Sequence, residues 1–404
     1  MSKDTVLELK YRWIILILTC MAFAISWTAR TAYSPLIPEM SNALQLTNTQ
    51  AGLLMTAFWA GYIVMQFPSG LISDRIGVRT TLTASLALVG IFTITTGTAS
   101  SFIECLFYRV LCGLAAGCIF APGAASVLRW FERKSRGTGS SLYTTGSRIG
   151  ALIGLIFAPL ISTLFGSWRW SFWILSIPAF LMAVIVFLFM KESPETWSSR
   201  TASKPEAMKR PLPYAVIFKN KFFFILLIAG VAYFSAYNVI TTWAATYFIR
   251  TLGVSSSYAG LIVSLFMTTG IIGMFLGGTI ADKMKRSAPV VFIGYTAMSV
   301  ACAVMPTIVS YGIWLTVGAL MILGLFGSMG GGLAQAIMSR WFPLEIGGAA
   351  AGFLNLATLG GCVSPSIFGA ILDATGSFAT GWTILGAISI TLSMLMIPLI
   401  RARQ

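Results

Sequence analysis

The sequence predicts an all-α integral membrane protein of twelve transmembrane helices in two pseudo-symmetric six-helix bundles. Three observations support this fold class. The 404-residue chain is 57% hydrophobic and only 10% charged, whereas soluble domains average about 25% charged residues. Its apolar residues fall into long runs, most of them near the roughly 20 residues that a helix needs to cross a bilayer. Short polar motifs also recur in both halves of the chain, which indicates an internal repeat.

The first six apolar runs follow a short basic amino-terminal segment and are separated by short polar loops. No small-residue cleavage site follows a short apolar segment there, so we expect no removable signal peptide and a permanent first span. We assign residues 1–190 to an N-terminal six-helix bundle. The runs lie at about 13–35, 49–71, 80–98, 102–126, 139–165 and 169–190.

A polar segment interrupts the pattern at residues 191–221, where charges alternate with prolines. It is too long and too charged for a membrane turn, so we interpret it as a cytoplasmic linker. Residues 222–404 then form a C-terminal six-helix bundle. Its runs lie at about 222–249, 257–280, 288–309, 312–338, 348–373 and 379–400.

The net charge of +15 comes mainly from loops on one side of the predicted bilayer. Cytoplasmic loops of membrane proteins are enriched in Lys and Arg, so both termini are expected to be cytoplasmic and the membrane to be the cytoplasmic (inner) membrane. The charge does not form a basic soluble face, which argues against nucleic acid as a partner. The lipid bilayer is the expected surrounding.

The titratable residues argue against an enzyme. Histidine is absent, the six cysteines lie mostly inside apolar runs without a CxxC pair, and no nucleophile–base pair or metal-ligand set is recognisable. We therefore expect no catalytic residues, no metal site and no cofactor.

Two polar motifs support the internal repeat. Arg129-Trp-Phe is echoed by Arg340-Trp-Phe, and Gly70-x-x-x-Asp74-Arg75 by Gly278-x-x-x-Asp282-Lys283. Both copies of each motif follow an even-numbered span of their half of the chain. This register predicts parallel six-helix repeats related by an axis along the membrane normal.

The segment Gly70-Leu-Ile-Ser-Asp74-Arg75-Ile-Gly77-Val-Arg79 resembles the GxxxDRxGxR loop of the major facilitator superfamily at every defined position. The resemblance covers the whole chain and implies the major facilitator fold. Glycines permit close approach and a tight turn, the acid can cap a helix N-terminus, and the arginines can pair with acids. We expect the loop to act as a conformational latch. Its predicted residues are Gly70, Asp74, Arg75, Gly77, Arg79 and Asp282.

Glycines recur at helical spacing inside several spans, where they let a neighbouring helix approach closely. In the fourth span, Arg109-x-x-x-Gly113-x-x-x-Gly117 resembles a second signature of the superfamily. A packing role is predicted for these glycines. The same role is predicted for Gly146, Gly150 and Gly154 in the fifth span and for Gly270, Gly273 and Gly277 in the eighth.

Arg30, Arg109 and Arg148 fall within predicted spans, and no carboxylate falls at the bilayer midplane. An ionised group at such depth is costly unless it faces water, a partner or a ligand. Three cations without a midplane acid leave positive potential, which an anionic solute would complement. Arg30 and Arg109 lie at similar depths and could converge on one carboxylate.

The first two spans also resemble the anion:cation symporter branch of the superfamily. Arg30-Thr-Ala-Tyr-Ser34-Pro-Leu-Ile-Pro38 has the form of that branch's first helix, and Gly61-Tyr62-x-x-x-Gln66-x-Pro68 that of its second. The resemblance implies Arg30 and Tyr62 as substrate contacts, and we add Tyr237 and Asn355 as candidates from the second half. Ala29 and Ala116 replace acids that are usual in the branch, which opposes proton coupling through those carboxylates.

These observations favour a secondary transporter of a small organic anion, working by alternating access as a monomer, with a proton or another ion as coupling partner. A proton-linked exporter of cationic drugs is an alternative, but a cationic cavity opposes it. A non-transporting membrane receptor on the same fold is another, though such a receptor would usually carry a large soluble appendage.

Overall fold

The architecture of the chain comes from a computed structural model. It describes residues 3–131, 135–192, 215–331 and 353–401, with residues 333–334, 337, 341–342 and 350 between the last two ranges. Most of the predicted linker at 191–221 lies outside the described residues. So does most of 340–348, the second copy of the Arg-Trp-Phe motif.

Helices account for nearly all of the first described ranges. Apolar runs favour helix here because a bilayer offers no partner for unpaired backbone groups. The N-terminal helices are α1 (Lys3–Thr31), α2 (Ile37–Leu44), α3 (Asn48–Ile76), α4 (Val78–Thr98), α5 (Phe102–Trp130), α6 (Arg136–Phe165) and α7 (Trp168–Phe189), with a short 3₁₀ helix at Ser34–Leu36.

The second half repeats this pattern. Polar caps begin several of its helices: the side chains of Asn220, Ser255 and Ser377 each accept a backbone N–H at a helix start. The helices are α8 (Ala215–Lys219), α9 (Lys221–Leu252), α10 (Ser256–Met284), α11 (Ala288–Ser310), α12 (Ile313–Ser328), α13 (Thr358–Thr375), α14 (Phe378–Met394) and α15 (Ile397–Arg401), with a 3₁₀ helix at Asn355–Ala357 before α13.

Within the described ranges, ten helical segments are long and apolar enough to cross a bilayer. The third helix, α3, is bent by 53° next to Pro68 and counts as an eleventh span. Proline lacks a backbone N–H and clashes with the preceding turn, which explains the bend. A shorter apolar helix, α12, has 16 residues. The predicted all-α integral membrane fold of about twelve spans is therefore confirmed.

Packing divides the chain into two compact units. The N-terminal unit comprises Met1–Gln45 and Ala57–Lys209, and the C-terminal unit comprises Leu46–Thr56 and Arg210–Gln404. In the N-terminal unit α1 packs on α6, and α4 packs on α5 and α7. In the C-terminal unit α9 packs on α13, and α11 packs on α12 and α14. The same spans of each half are thus paired, as an internal repeat requires.

The predicted glycine stripe of α6 lies directly against α1. A Cβ atom at Gly146 or Gly150 would overlap the carbonyl oxygen of Cys20 or Ala24. The backbones are close enough for Thr28 Oγ1 to donate a hydrogen bond to the carbonyl oxygen of Gly150 over 3.1 Å. The packing role predicted for this stripe is confirmed.

The stripe in α10 plays the same part in the C-terminal unit. A Cβ atom at Gly273 or Gly277 would overlap the carbonyl oxygen of Leu325 or Met329, at the end of α12. Small residues at such interfaces are the usual means by which membrane helices gain van der Waals contact. The two stripes therefore have the same role but join different helix pairs. The stripe in α6 joins the first and fifth spans, and the stripe in α10 joins the eighth and tenth.

Candidate functional site

Arg30 lies in the last turn of α1 and is 2% exposed. Its Cζ atom lies 4.5 Å from the ring centroid of Trp27 and 4.5 Å from that of Trp59. The two indoles meet edge to face, with their centroids 6.2 Å apart. A cation over an aromatic face is attracted by the negative face of the ring. The two rings therefore hold the guanidinium in place without neutralising its charge.

Tyr62 lies next to this cation on α3. Its ring meets Trp59 edge to face at 5.5 Å and stacks on Phe58 at 6.4 Å, and its hydroxyl forms a side-chain hydrogen bond with Gln66. The predicted contacts Arg30 and Tyr62 thus share one indole. We call Trp27, Arg30, Trp59 and Tyr62 the aromatic pocket.

The position of α3 in the pocket depends on the glycines of α5. A Cβ atom at Gly113 would overlap the carbonyl oxygen of Phe58, and one at Gly117 would lie 2.5 Å from the carbonyl oxygen of Tyr62. Only glycine allows the two backbones to approach this closely. The predicted packing role of the Arg109-x-x-x-Gly113-x-x-x-Gly117 signature is confirmed, and it sets where Trp59 and Tyr62 lie.

Arg109 is also buried, at 1% exposure, but its surroundings differ. Its Nη1 atom donates a hydrogen bond to the carbonyl oxygen of Ala29 over 3.0 Å. Its Cζ atom lies 5.0 Å from the ring centroid of Tyr33 and 4.8 Å from that of Phe58. A backbone carbonyl and two rings thus surround the guanidinium. This arrangement joins α5 to the end of α1 and favours a structural role for Arg109.

The remaining predicted contacts lie elsewhere. Arg148 is half-buried on α6 in the N-terminal unit. In the C-terminal unit Tyr237 is buried on α9 and donates a hydrogen bond to Met267 Sδ over 3.5 Å, and Asn355 is exposed in the 3₁₀ helix before α13. The structure therefore brings Arg30 and Tyr62 to the same indole ring and Arg109 to the neighbouring turn of α1. Substrate binding by all six residues stays a prediction.

Sequence reasoning did not identify the aromatic side chains that enclose the two arginines. Trp27 precedes Arg30 by three residues, a spacing that places both on one face of a helix. On α3, Trp59 precedes Tyr62 by three residues and Phe58 precedes it by four. Aromatic residues at helical spacing from Arg30 and Tyr62 were the available signal, although such a stripe is typical of ordinary helix packing too.

At the loop between α3 and α4, Asp74 forms an ion pair with Arg129, with Oδ1 and Nη2 3.2 Å apart. Both side chains are exposed. Asp74 thus pairs with an arginine from the end of α5, and pairing of the loop's own arginines with acids stays a prediction. The capping role considered for Asp74 is filled by another acid.

That acid is Glu192, just after α7. Its carboxylate accepts hydrogen bonds from the backbone N–H groups of Val78 and Arg79, over 2.8 and 2.9 Å, at the start of α4. A carboxylate there also complements the positive end of the helix dipole. Gly77 takes a φ of 85°, which favours glycine, and a Cβ atom there would lie 2.5 Å from Glu192 Oε1 and displace the capping carboxylate.

The other predicted latch residues lie in different surroundings. A Cβ atom at Gly70 would meet nothing within 4 Å among the described residues, so the close approach expected there stays a prediction. The Cζ atom of Arg79 lies 4.7 Å from the ring centroid of Phe187 on α7. Arg75 and Asp282 are exposed. A latch function for this loop remains a prediction.

A second acid, Asp373, organises a polar cluster within the C-terminal unit. Its carboxylate accepts from the backbone N–H groups of Asn48 and Thr49, over 3.0 and 2.7 Å, and from their side chains, over 2.8 and 2.5 Å. Arg250 Nη1 donates to Asn48 Oδ1 over 3.0 Å. The acid at the end of α13 thus caps the first turn of α3, which explains why Leu46–Thr56 packs with this unit.

A family model described as Major Facilitator Superfamily matches the chain at residues 19–287 and 226–404. Among curated proteins, a hexuronate transporter of Bacillus subtilis is 27% identical over 402 residues, covering 96% of this chain and 94% of the relative. A cis,cis-muconate transport protein of Acinetobacter baylyi is 28% identical over 354 residues, covering 85% and 83%.

Solved structures show the same fold at lower identity. A bacterial homolog of the human lysosomal transporter Spinster, in an inward-facing and unoccupied conformation, has a TM-score of 0.78 with 18% identity, covering 98% of this chain and 96% of the other. A D-xylose–proton symporter has a TM-score of 0.75 with 18% identity, covering 96% and 97%. At these identities the likeness shows the fold alone.

Proposed function

Because the chain belongs to the Major Facilitator Superfamily, we propose that it is a secondary active transporter that moves a small organic anion, a carboxylate, by alternating access. That the chain is a multi-pass membrane transporter follows from the family. The substrate class and the mechanism are the proposed part.

The aromatic pocket is the observation that carries this proposal. Arg30 keeps its charge between two indole rings, and a guanidinium offers a planar fork that can hold a carboxylate through two parallel hydrogen bonds. Such hydrogen bonds are stronger in a buried site than in water, because the local dielectric is low. The ring of Tyr62 contacts the same indole, and its hydroxyl can supply a further polar contact to the solute.

The curated relatives support the same class. The names of two of them, the hexuronate transporter and the cis,cis-muconate transport protein, refer to carboxylates. These relatives share only about a quarter of their residues with this chain, so we transfer the class of solute and not a particular acid.

We also propose that both termini face the cytoplasm across a cytoplasmic membrane. The basic residues of the loops support this orientation, since translocated loops are poor in Lys and Arg. Single cysteines introduced near either terminus should react with a membrane-impermeant maleimide only after the membrane is opened. Labelling of either terminus in intact cells would contradict the orientation.

Transport in proteoliposomes tests the function directly. Purified protein should take up one or more radiolabelled carboxylates from a panel that includes glucuronate and muconate, with and without an imposed pH gradient. A rate that depends on the gradient identifies the proton as coupling ion, and an unchanged rate points to another ion or to exchange. Uptake of cationic dyes in place of every carboxylate would overturn the assignment.

A further inference from the structure

The C-terminal unit contains a groove that the transport proposal does not use. It is a cavity of about 250 Å³ between α9, α13 and α14. The lining side chains are aliphatic, apart from one phenylalanine, three serines and a few small residues, and none is charged. We call this cavity the lateral groove. Its mouth residues include Val363, Ile367, Ile384 and Ile388.

The side chains at the mouth of the groove are exposed on helices that are apolar enough to cross a membrane. Val363 is 46% exposed, and Ile367 and Ile388 are 55% exposed, although all three lie on apolar spanning helices. In a membrane, side chains exposed at such positions meet hydrocarbon and not water. The medium in contact with the opening is therefore the acyl region of the surrounding lipids.

The interior of the groove does not suit water or an anion. Ser364 Oγ already donates to the carbonyl oxygen of Ser235, over 3.3 Å, so this hydroxyl needs no water. Water occupies cavities that supply two to four polar partners, and apolar cavities stay dry. With no cation in the lining, a carboxylate would lose its hydration without compensation.

Leaving a cavity of this size empty would also be unfavourable for packing. Side chains beside a void lose the dispersion contacts that a close-packed interior provides. The groove lies beside a close approach of α13 to α9: a Cβ atom at Gly360 would lie 2.6 Å from Val231 Cγ1 and 2.8 Å from Ser235 Oγ. Whatever fills the groove therefore packs against the contact between these two helices.

We propose that the lateral groove is a binding site for one acyl chain of a membrane lipid. The chain enters from the bilayer between α13 and α14 and fills the space behind α13. It supplies the apolar contacts that these helices lack, and it holds α13 against α9. The proposal concerns this groove alone and stands whichever solute the protein carries.

Photolabelling tests the site with a defined probe. The full chain is reconstituted in nanodiscs that contain a phosphatidylcholine with a diazirine in the middle of one acyl chain. After irradiation, adducts should concentrate on the lining residues of α13 and α14. Val363→Trp should fill the mouth and lower labelling of these residues several-fold.

Leu359→Trp is the matched control. Leu359 lies one turn earlier on α13 and is also 46% exposed, but it does not line the groove, so its substitution should leave labelling unchanged. Adding phosphatidylcholine to delipidated protein should raise the unfolding temperature of the wild type and of Leu359→Trp more than that of Val363→Trp. If Val363→Trp does not fold, Ile388→Trp blocks the same mouth from α14.

Three results would overturn the proposal. One is equal labelling of the groove in wild type and in a folded mouth variant. Another is adducts that spread evenly over all exposed spans, which means bulk lipid contact without a site. The third is protection of the groove by a soluble carboxylate such as glucuronate, which would identify the occupant as a solute.

Discussion

Two buried arginines of the N-terminal unit lie close to the same turn of α1 but in different surroundings. Arg109 reaches the carbonyl oxygen of Ala29 and lies over Tyr33 and Phe58, so a backbone acceptor and two rings surround it. Arg30, the next residue after Ala29, lies between Trp27 and Trp59. Both cations are compensated in part by aromatic faces, and Arg109 also donates a hydrogen bond to the backbone of α1.

The comparison separates two ways in which a membrane protein uses a buried charge. A charge that bonds to the backbone of a neighbouring helix stabilises the fold, and its loss leaves a carbonyl without its partner. A charge held between ring faces keeps its positive potential, which can attract a carboxylate. In the sequence both arginines are simply cations within predicted spans. The geometry predicts that Arg109 acts on stability and Arg30 on binding.

Arg109→Ala should have the largest effect, and it should act on folding. Truncation of a large buried side chain costs about 3 to 5 kcal/mol, and the substitution also removes a charge-assisted hydrogen bond. We expect low yield and a clearly lower unfolding temperature in detergent. Size-exclusion profiles and thermal unfolding measure both effects.

Arg109→Lys tests which contact matters at this site. Lysine can still donate to the carbonyl oxygen of Ala29, but it lacks the planar group that lies over two rings. Partial recovery of stability is expected. If folded Arg109→Ala protein is as stable as wild type and fails only to bind carboxylates, the comparison between the two arginines is wrong.

Arg30→Lys should leave stability near that of wild type and weaken carboxylate binding. Lysine keeps the charge and loses the fork that supplies two parallel hydrogen bonds. Losing one charge-assisted hydrogen bond is worth roughly 1.5 to 3 kcal/mol, or about ten- to a hundredfold in affinity. Equilibrium binding of the radiolabelled carboxylate to purified protein gives the value.

Arg30→Ala completes this test. The variant should bind the carboxylate more weakly than Arg30→Lys, because the charge is lost as well. Well-folded Arg30→Ala protein that binds and transports carboxylates normally would remove the main support for an anion site in the aromatic pocket.

Trp59→Leu should have a smaller effect on the same site. It removes one of the two rings that hold Arg30 and the edge contact with Tyr62. A buried cation–π contact is worth about 1 to 2 kcal/mol, so carboxylate affinity should fall about five- to thirtyfold. Trp314→Leu is the control, because Trp314 is 81% exposed on α12 in the other unit. Equal affinity losses in both variants would show that Trp59 does not position Arg30.

Much of the fold could be predicted because the requirements for crossing a bilayer apply to each segment of the chain separately. Apolar length predicts the spans, and glycines at helical spacing, such as Gly146 and Gly150, predict where two helices approach. The bend of α3 at Pro68 follows from one residue. The packing of Leu46–Thr56 with the C-terminal unit could not be predicted, because it depends on Asp373, which lies 325 residues after Asn48.

The candidate site could be predicted only in part for the same reason. Intramembrane charge is visible in a sequence, so the sequence predicts Arg30 and Arg109 as candidates, and the resemblance adds Tyr62. The partners that distinguish the two arginines come from other helices. Glu192 shows the same limit, since the cap of α4 lies 114 residues from Val78 in the chain.

Asp74→Asn should have the smallest effect on binding and stability, although we expect it to slow transport. The Asp74–Arg129 pair is exposed, and exposed ion pairs contribute about 0 to 1 kcal/mol. The variant should therefore unfold at nearly the wild-type temperature and bind carboxylate within a few fold of wild type. If the loop is a latch, this pair is present to different extents in the states of the transport cycle, so its loss changes the rate of interconversion. Initial uptake rates at saturating carboxylate measure that step apart from affinity.

Glu192→Gln provides a comparison at the same loop, because it removes a charge that caps α4 and so should lower stability more than Asp74→Asn does. A large affinity loss with unchanged turnover in Asp74→Asn would contradict the latch and would place this loop, unlike Arg109, in the binding function.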